Sequence, residues 1–111
     1  MKIIGIEFAE YEWKRHRTIS NGLHTYPTQS LGIVRIKTDE GITGVGFGKG
    51  GMVEQFSEIL LGADPLCVEQ LWHKMWVPHL VGRRGPSTWT ISAIDIALWD
   101  IRAKAAGMPL Y

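Results

Sequence analysis

The segment Lys14 to Thr28, KRHRTISNGLHTYPT, concentrates side chains that bind anions and hydroxyls: Arg15, His16, Arg17, His24 and Tyr26. Guanidinium and imidazolium groups donate to carboxylates, and a phenol exchanges hydrogen bonds with alcohols. The segment is polar and basic and shows no periodicity, which predicts an irregular loop between two strands. Loops longer than ~12–15 residues inside a compact domain are usually functional lids or disordered segments. Two readings follow: a flap over an anionic, hydroxyl-rich ligand, or a solvated surface loop.

Other motifs carry less. Gly46, Gly48 and Gly51 satisfy G-x-G-x-x-G, but a dinucleotide site needs a following parallel strand and an acidic residue about twenty positions on. Here Gly62, Asp64-Pro65 and another helix follow, so the glycines read as a flexible loop. His16, His24, His73 and His79 lack metal-ligand spacing such as H-E-x-x-H. Asp95 and Asp100 lie about 140° apart around a helix and cannot converge on one proton or metal. They read as structural, with Asp95 placed to anchor neighbouring backbone. Arg83-Arg84 could meet an anion, but a solvated loop is the favoured reading. Cys67, in the first turn of a helix, reads as a bystander thiol, and most of the five tryptophans as core.

These groups must be positioned by a chain of 111 residues, the length of one domain, predicted to span 1–111. Twelve Lys+Arg against eleven Asp+Glu leave a net charge of +1, which gives no electrostatic case for nucleic acid or an anionic membrane. One cysteine excludes an internal disulfide. The MKIIGIEF opening reads as a strand rather than a signal peptide, and no apolar stretch approaches the ~18 residues of a membrane span. The expectation is a cytoplasmic protein.

The elements are predicted as follows. Lys2–Trp13 alternates Ile4, Ile6 and Phe8 against Gly5, Glu7 and Ala9, the period of a half-buried strand. A second strand spans Gln29–Thr38; Asp39-Glu40-Gly41 turns the chain, and Ile42–Phe47 returns. Val53, Phe56 and Leu60 mark a short helix ended by Gly62. Asp64-Pro65 opens another, whose Val68, Leu71, Trp72, Met75 and Trp76 form one stripe that Pro78 stops. The last helix starts near Ser87–Trp89 and runs to Ala106, with Gly107 at C′ and Pro109 beyond. The fold class is α+β: a three-stranded antiparallel meander followed by three helices.

The last helix has two apolar sectors. Ile91, Ile94, Ala97, Leu98, Ile101 and Ala105 fill one, and Ile96, Trp99, Ala103 and Ala106 fill another roughly opposite. Asp95 with Arg102, and Asp100 with Lys104, form narrow polar strips between them. A helix apolar on both sides is normally buried on both sides. Either it runs through the middle of a small core, or its far side needs a partner surface.

Three segments in order resemble one family. TDEGITGVGFGKGG (Thr38–Gly51), LLGADPLCVEQLWHKMW (Leu60–Trp76) and SAIDIALWDIRAKAAGMPLY (Ser92–Tyr111) are similar to the amino-terminal capping domain of the enolase superfamily, mandelate racemase/muconate lactonizing branch. The resemblance implies an enolase N-terminal-domain-like fold lacking the C-terminal barrel. In that family the barrel binds Mg²⁺ and supplies the acid and base groups that remove the proton α to a carboxylate. None of the family's metal ligands or general bases has a matching position in this sequence, so no catalytic and no metal-binding residue is expected here.

The family's capping domains set specificity through two mobile loops, which map onto Lys14–Thr28 and Gly46–Val53. On that mapping His16, Arg17, His24 and Tyr26 become substrate contacts, and Lys49 neutralises a substrate carboxylate. The implied parent enzyme is a Mg²⁺-dependent lyase or isomerase, homo-oligomeric in full-length form, with acid-sugar dehydration as the reaction. The 111 residues alone are expected to be inactive, with the barrel and a carboxylate-containing small molecule as partners. The alternative is a non-catalytic binding or homo-oligomeric assembly module derived from that domain. Gly44-Val45-Gly46-Phe47 departs from the Gly-Trp-Gly-Glu of many members, which disfavours branches that use that glutamate.

Overall fold

The computed structural model describes residues 1–77 and 85–111. Pro78, His79 and Arg83-Arg84 lie outside the described residues. A three-stranded antiparallel sheet of order β1 (Ile3–Ser20), β2 (Thr25–Thr38), β3 (Thr43–Phe47) comes first. A 3-10 turn at Val53–Phe56 leads into α1 (Ser57–Leu60), followed by α2 (Val68–Trp76) and α3 (Pro86–Ala105).

Local chemistry sets the ends. The β2–β3 turn places Gly41 at φ 81°, and the Thr38 hydroxyl donates to the Ile42 carbonyl at 2.8 Å. The helix after Asp64-Pro65 begins later than expected: Asp64 accepts a hydrogen bond from the Leu66 N–H at 2.9 Å, and regular helix starts at Val68. At the end of α3, Gly107 N–H bonds to the Lys104 carbonyl and Met108 N–H to the Ala103 carbonyl, closing the helix as expected with Gly107 at φ 65°.

One face of the sheet is covered. Phe8 pairs with Val34, Val34 with Gly46, and Ile36 with Gly44, so these residues share the inner face. A register shift between Ile3 and Gly5 turns Ile3 into the core and leaves Ile4 62% exposed, against the simple alternation expected for β1. Helix α3 runs antiparallel to β3 across this face. Thr90 Oγ1 donates to the Lys49 carbonyl at 2.9 Å, Asp100 accepts from Val45 N–H at 2.8 Å, and Lys104 Nζ donates to the Thr43 carbonyl at 2.8 Å. The backbone anchor is therefore Asp100 rather than Asp95. The approach is close because β3 presents glycines: a Cβ on Gly46 would lie 1.9 Å from the Ala93 carbonyl oxygen.

The two faces of α3 differ. Ile91, Ala93, Ile94, Ala97, Leu98 and Ile101 are buried with Phe56, Leu60, Leu71 and Met75. Ala105, expected on that face, is exposed, because Gly107 ends the helix beyond the edge of the sheet. On the opposite sector Trp99 is 37% exposed, Ala106 is exposed, and Ile96 and Ala103 are half-buried. Arg102 lies over the Trp99 ring at 5.1 Å, partly shielding it. The far side of the helix is thus not enclosed by the described residues.

Candidate functional site

The segment Lys14–Thr28 is not an irregular loop. It forms the outer part of a β1–β2 ribbon that continues past β3, whose pairing with β2 covers only Ile33 to Lys37. The radius of gyration, 15.7 Å, exceeds the roughly 13 Å usual for 100 residues, as a projecting ribbon requires. At the tip, the Asn21 side chain accepts the Leu23 and His24 N–H groups at 2.9 and 2.8 Å. The signal that marks this hairpin was Asn21-Gly22, a dipeptide that favours tight turns. The basic residues around it obscured the pattern, because a ribbon with no buried face has no apolar alternation to detect.

The ribbon is irregular at one place. Lys14 pairs with Thr28 and Ile19 with Tyr26, so Arg15–Thr18 bulge opposite Pro27. Proline has no N–H to give to the ladder, and bulges collect where pairing is broken. Arg15 covers the gap: its Nε donates to the Thr28 carbonyl at 3.0 Å, which commits that guanidinium to the scaffold. His16 and Arg17 remain exposed in the bulge. His24 and Tyr26 meet edge-on with ring centroids 6.2 Å apart. The register therefore groups His16, Arg17, His24 and Tyr26 on the outer third of the ribbon.

Lys49 lies elsewhere. Gly48 N–H bonds to the Gly32 carbonyl at 3.0 Å, and Thr90 holds the Lys49 carbonyl, so this second loop is anchored at both the ribbon base and α3. The Lys49 ammonium sits 4.5 Å above the centre of the Trp89 ring, a cation–π contact that leaves its outer side available to an anion. A cleft of about 420 Å³ opens between loop and ribbon, lined by Phe8, Glu10, Leu31, Gly48 and Lys49. From Gly32 beside Lys49 to Tyr26 is six residues of strand, on the order of 20 Å. The five expected contacts thus form two separate groups.

Asp95 is half-buried in a cleft of about 240 Å³ lined by Val68, Glu69, Trp72, His73 and Trp99. Burial raises its carboxyl above the ordinary value of 3.8. An acid with a raised folded-state pKa binds protons more tightly folded than unfolded. Its ionisation therefore lowers stability as pH rises through the raised value, and the effect is absent below 3.8, where both states are protonated. Asp95→Asn is expected to raise the thermal midpoint at neutral pH and to lose that advantage below pH 3.8, checked by melting curves at a series of pH values.

Among the described residues, no three His, Cys, Asp or Glu side chains are grouped to hold a metal ion. No described helix is long and apolar enough to cross a membrane. Fold and site together define an α+β domain with helices on one sheet face and a basic ribbon reaching past its core.

Residues 3–111 match the family described as mandelate racemase/muconate lactonizing enzyme, N-terminal domain, and the chain belongs to that family. It is 42% identical over 97 residues to a D-galactonate dehydratase family member of a Marinomonas species, covering 78% of this chain and 24% of the relative. It is 36% identical over 104 residues to a D-mannonate dehydratase of Novosphingobium aromaticivorans, covering 85% and 26%. The chain spans about a quarter of the length of these relatives. Among solved structures, an L-talarate dehydratase from a Polaromonas species, complexed with Mg and L-glucarate, superposes with a TM-score of 0.84 at 29% identity. That match covers 98% of this chain and 34% of the other.

Proposed function

We propose that this domain supplies the substrate-facing cover of a Mg²⁺-dependent acid-sugar dehydratase whose metal ligands and proton-transfer groups reside in a barrel outside these 111 residues. The observation that carries the reading is the likeness, over 98% of this chain and 34% of the other, to a talarate dehydratase whose structure holds Mg and L-glucarate. Within that enzyme the residues of this domain hold and cover the substrate.

Their work is recognition. Lys49, held by Thr90 and backed by Trp89, pairs with a carboxylate of the sugar acid. His16, Arg17, His24 and Tyr26 on the ribbon contact its hydroxyls or a second carboxylate. Because the two groups lie on the order of 20 Å apart along the strand, one small ligand cannot span them in this conformation. The ribbon either bends at the Arg15–Thr18 bulge or meets ligand held on the barrel. Closing such a flap over a charged substrate excludes water and strengthens each polar contact.

The test is steady-state kinetics of the enzyme carrying this domain together with its barrel, against hexonates and hexarates with Mg²⁺. Saturable dehydration is expected. Lys49→Ala should lower kcat/KM by about ten- to a hundredfold, the worth of one charge-assisted hydrogen bond, without moving the melting temperature. The 111-residue chain alone should show no turnover. Saturable, metal-dependent turnover by the chain alone, or full activity of the Lys49 variant, would overturn the assignment.

A further inference from the structure

We propose, resting on the acid-sugar reading above, that Glu10 is a specificity-determining residue that, with Glu12, selects hexonates, which carry one carboxylate, over the matching hexarates. Strand periodicity places the pair. Glu10 and Glu12 follow Phe8 on the inner face of β1, opposite Gly32 and Ser30 of β2. Phe8 packs against the core, whereas Glu10 and Glu12 are exposed. Among the described residues neither of them forms an ion pair.

A glycine brings Lys49 beside them. Gly48 N–H bonds to the Gly32 carbonyl at 3.0 Å, and a Cβ on Gly32 would lie 2.0 Å from the Gly48 carbonyl oxygen. The second loop therefore crosses the inner face where Glu10 stands, and Glu10, Ser30 and Lys49 line one cleft. Among the described residues that line it, Lys49 and Glu10 are the charged ones.

Charge and length decide what fits. With one carboxylate on Lys49, the body of a sugar acid lies along the inner face over Glu10 and Glu12. An ionised carboxylate only accepts hydrogen bonds, so these two take hydroxyls and repel a second carboxylate. The carboxyl carbons of an extended hexarate lie on the order of 6 Å apart, each C–C bond being about 1.5 Å. Glu10 and Glu12 are about 7 Å apart along the strand. The second carboxylate of a hexarate thus falls within the stretch they cover, where a hexonate places a hydroxyl. The cations that could offset the repulsion are out of reach. Lys14, next on that face, is on the order of 13 Å from Glu10. Arg15 is held by the Thr28 carbonyl, and Arg35 and Lys37 stand opposite Glu7 and Gly5 on the other face. An unpaired like charge that rejects the wrong ligand is a general route to selectivity.

The experiment compares kcat/KM for a panel of hexonates and the hexarates of matching configuration, using the enzyme that carries this domain together with its barrel and Mg²⁺. Wild type, Glu10→Gln, Glu10→Lys and Glu7→Gln are measured, with melting curves to verify folding. Glu7 lies on the outer face, paired with Lys37, and is the control. Wild type is expected to prefer hexonates. Glu10→Gln should raise the hexarate-to-hexonate ratio of kcat/KM roughly tenfold, Glu10→Lys should raise it further, and Glu7→Gln should leave it unchanged. The proposal is overturned if wild type uses hexarates at least as well as hexonates, or if Glu10→Gln and Glu7→Gln share one ratio. Either result is read from turnover and leaves the dehydratase reading standing. Turnover of neither class of acid removes that reading, and the role of Glu10 with it.

Discussion

Gly46→Ala should cost this domain at least about 3 kcal/mol, at the upper end of overpacking effects, and lower its melting temperature by more than about 10 °C. The reason is geometric. The added Cβ would fall 1.9 Å from the Ala93 carbonyl oxygen and 2.9 Å from the Ala97 nitrogen, and both are helix backbone. A flexible side chain could rotate away, whereas α3 must move as a unit. That motion would strain the Asp100 bond to Val45 N–H and the Thr90 bond to the Lys49 carbonyl, which flank the contact. Gly22→Ala at the ribbon tip, where nothing lies within 4 Å, is the control and should stay within about 0.5 kcal/mol of wild type. If Gly46→Ala melts with the control, the helix does not lie as close to β3 as described.

Phe56→Ala is expected to cost about 3–5 kcal/mol, the range for emptying a buried aromatic site. Phe56 is the largest fully buried side chain among the described residues and the last residue of the 3-10 turn that leads from the Lys49 loop into α1. Against a total stability of roughly 5–15 kcal/mol for a domain of ordinary size, that loss leaves a large unfolded population. Leu61→Ala, five residues on and half-exposed, should change stability little. Urea titration of both variants checks the pair. A second consequence follows from position. Val53 and Phe56 fix one end of the Lys49 loop, so hydrogen exchange at Gly48–Met52 should rise in Phe56→Ala. Unchanged exchange there would mean that the bonds to Gly32 and Thr90 hold the loop unaided.

The separation of Lys49 from the ribbon residues has a mechanical reading. The second loop is rigidly built, with Gly50 packed under Phe8 and Val34 so closely that a Cβ would lie 2.5 Å from the Phe8 ring. The ribbon is held chiefly by its own ladder. A domain with one fixed cation and one bendable basic arm suits a ligand anchored at one end and enclosed at the other.

Much of this was legible in the residues. Turn glycines, the Gly107 cap and the α2 stripe each rest on interactions between near neighbours, so composition and spacing determined them. They also determined that α3 carries apolar residues on two sides. Tertiary structure decided the rest. Whether KRHRTISNGLHTYPT was loop or strand depended on pairing across the hairpin, which a polar ribbon without a buried face does not announce in its periodicity. The choice of Asp100 over Asp95 as backbone anchor depended on where β3 lies beneath α3, and the exposure of Ala105 on where the sheet ends. The gathering of four site residues apart from the fifth depended on strand register over on the order of 20 Å, a length that local spacing does not encode.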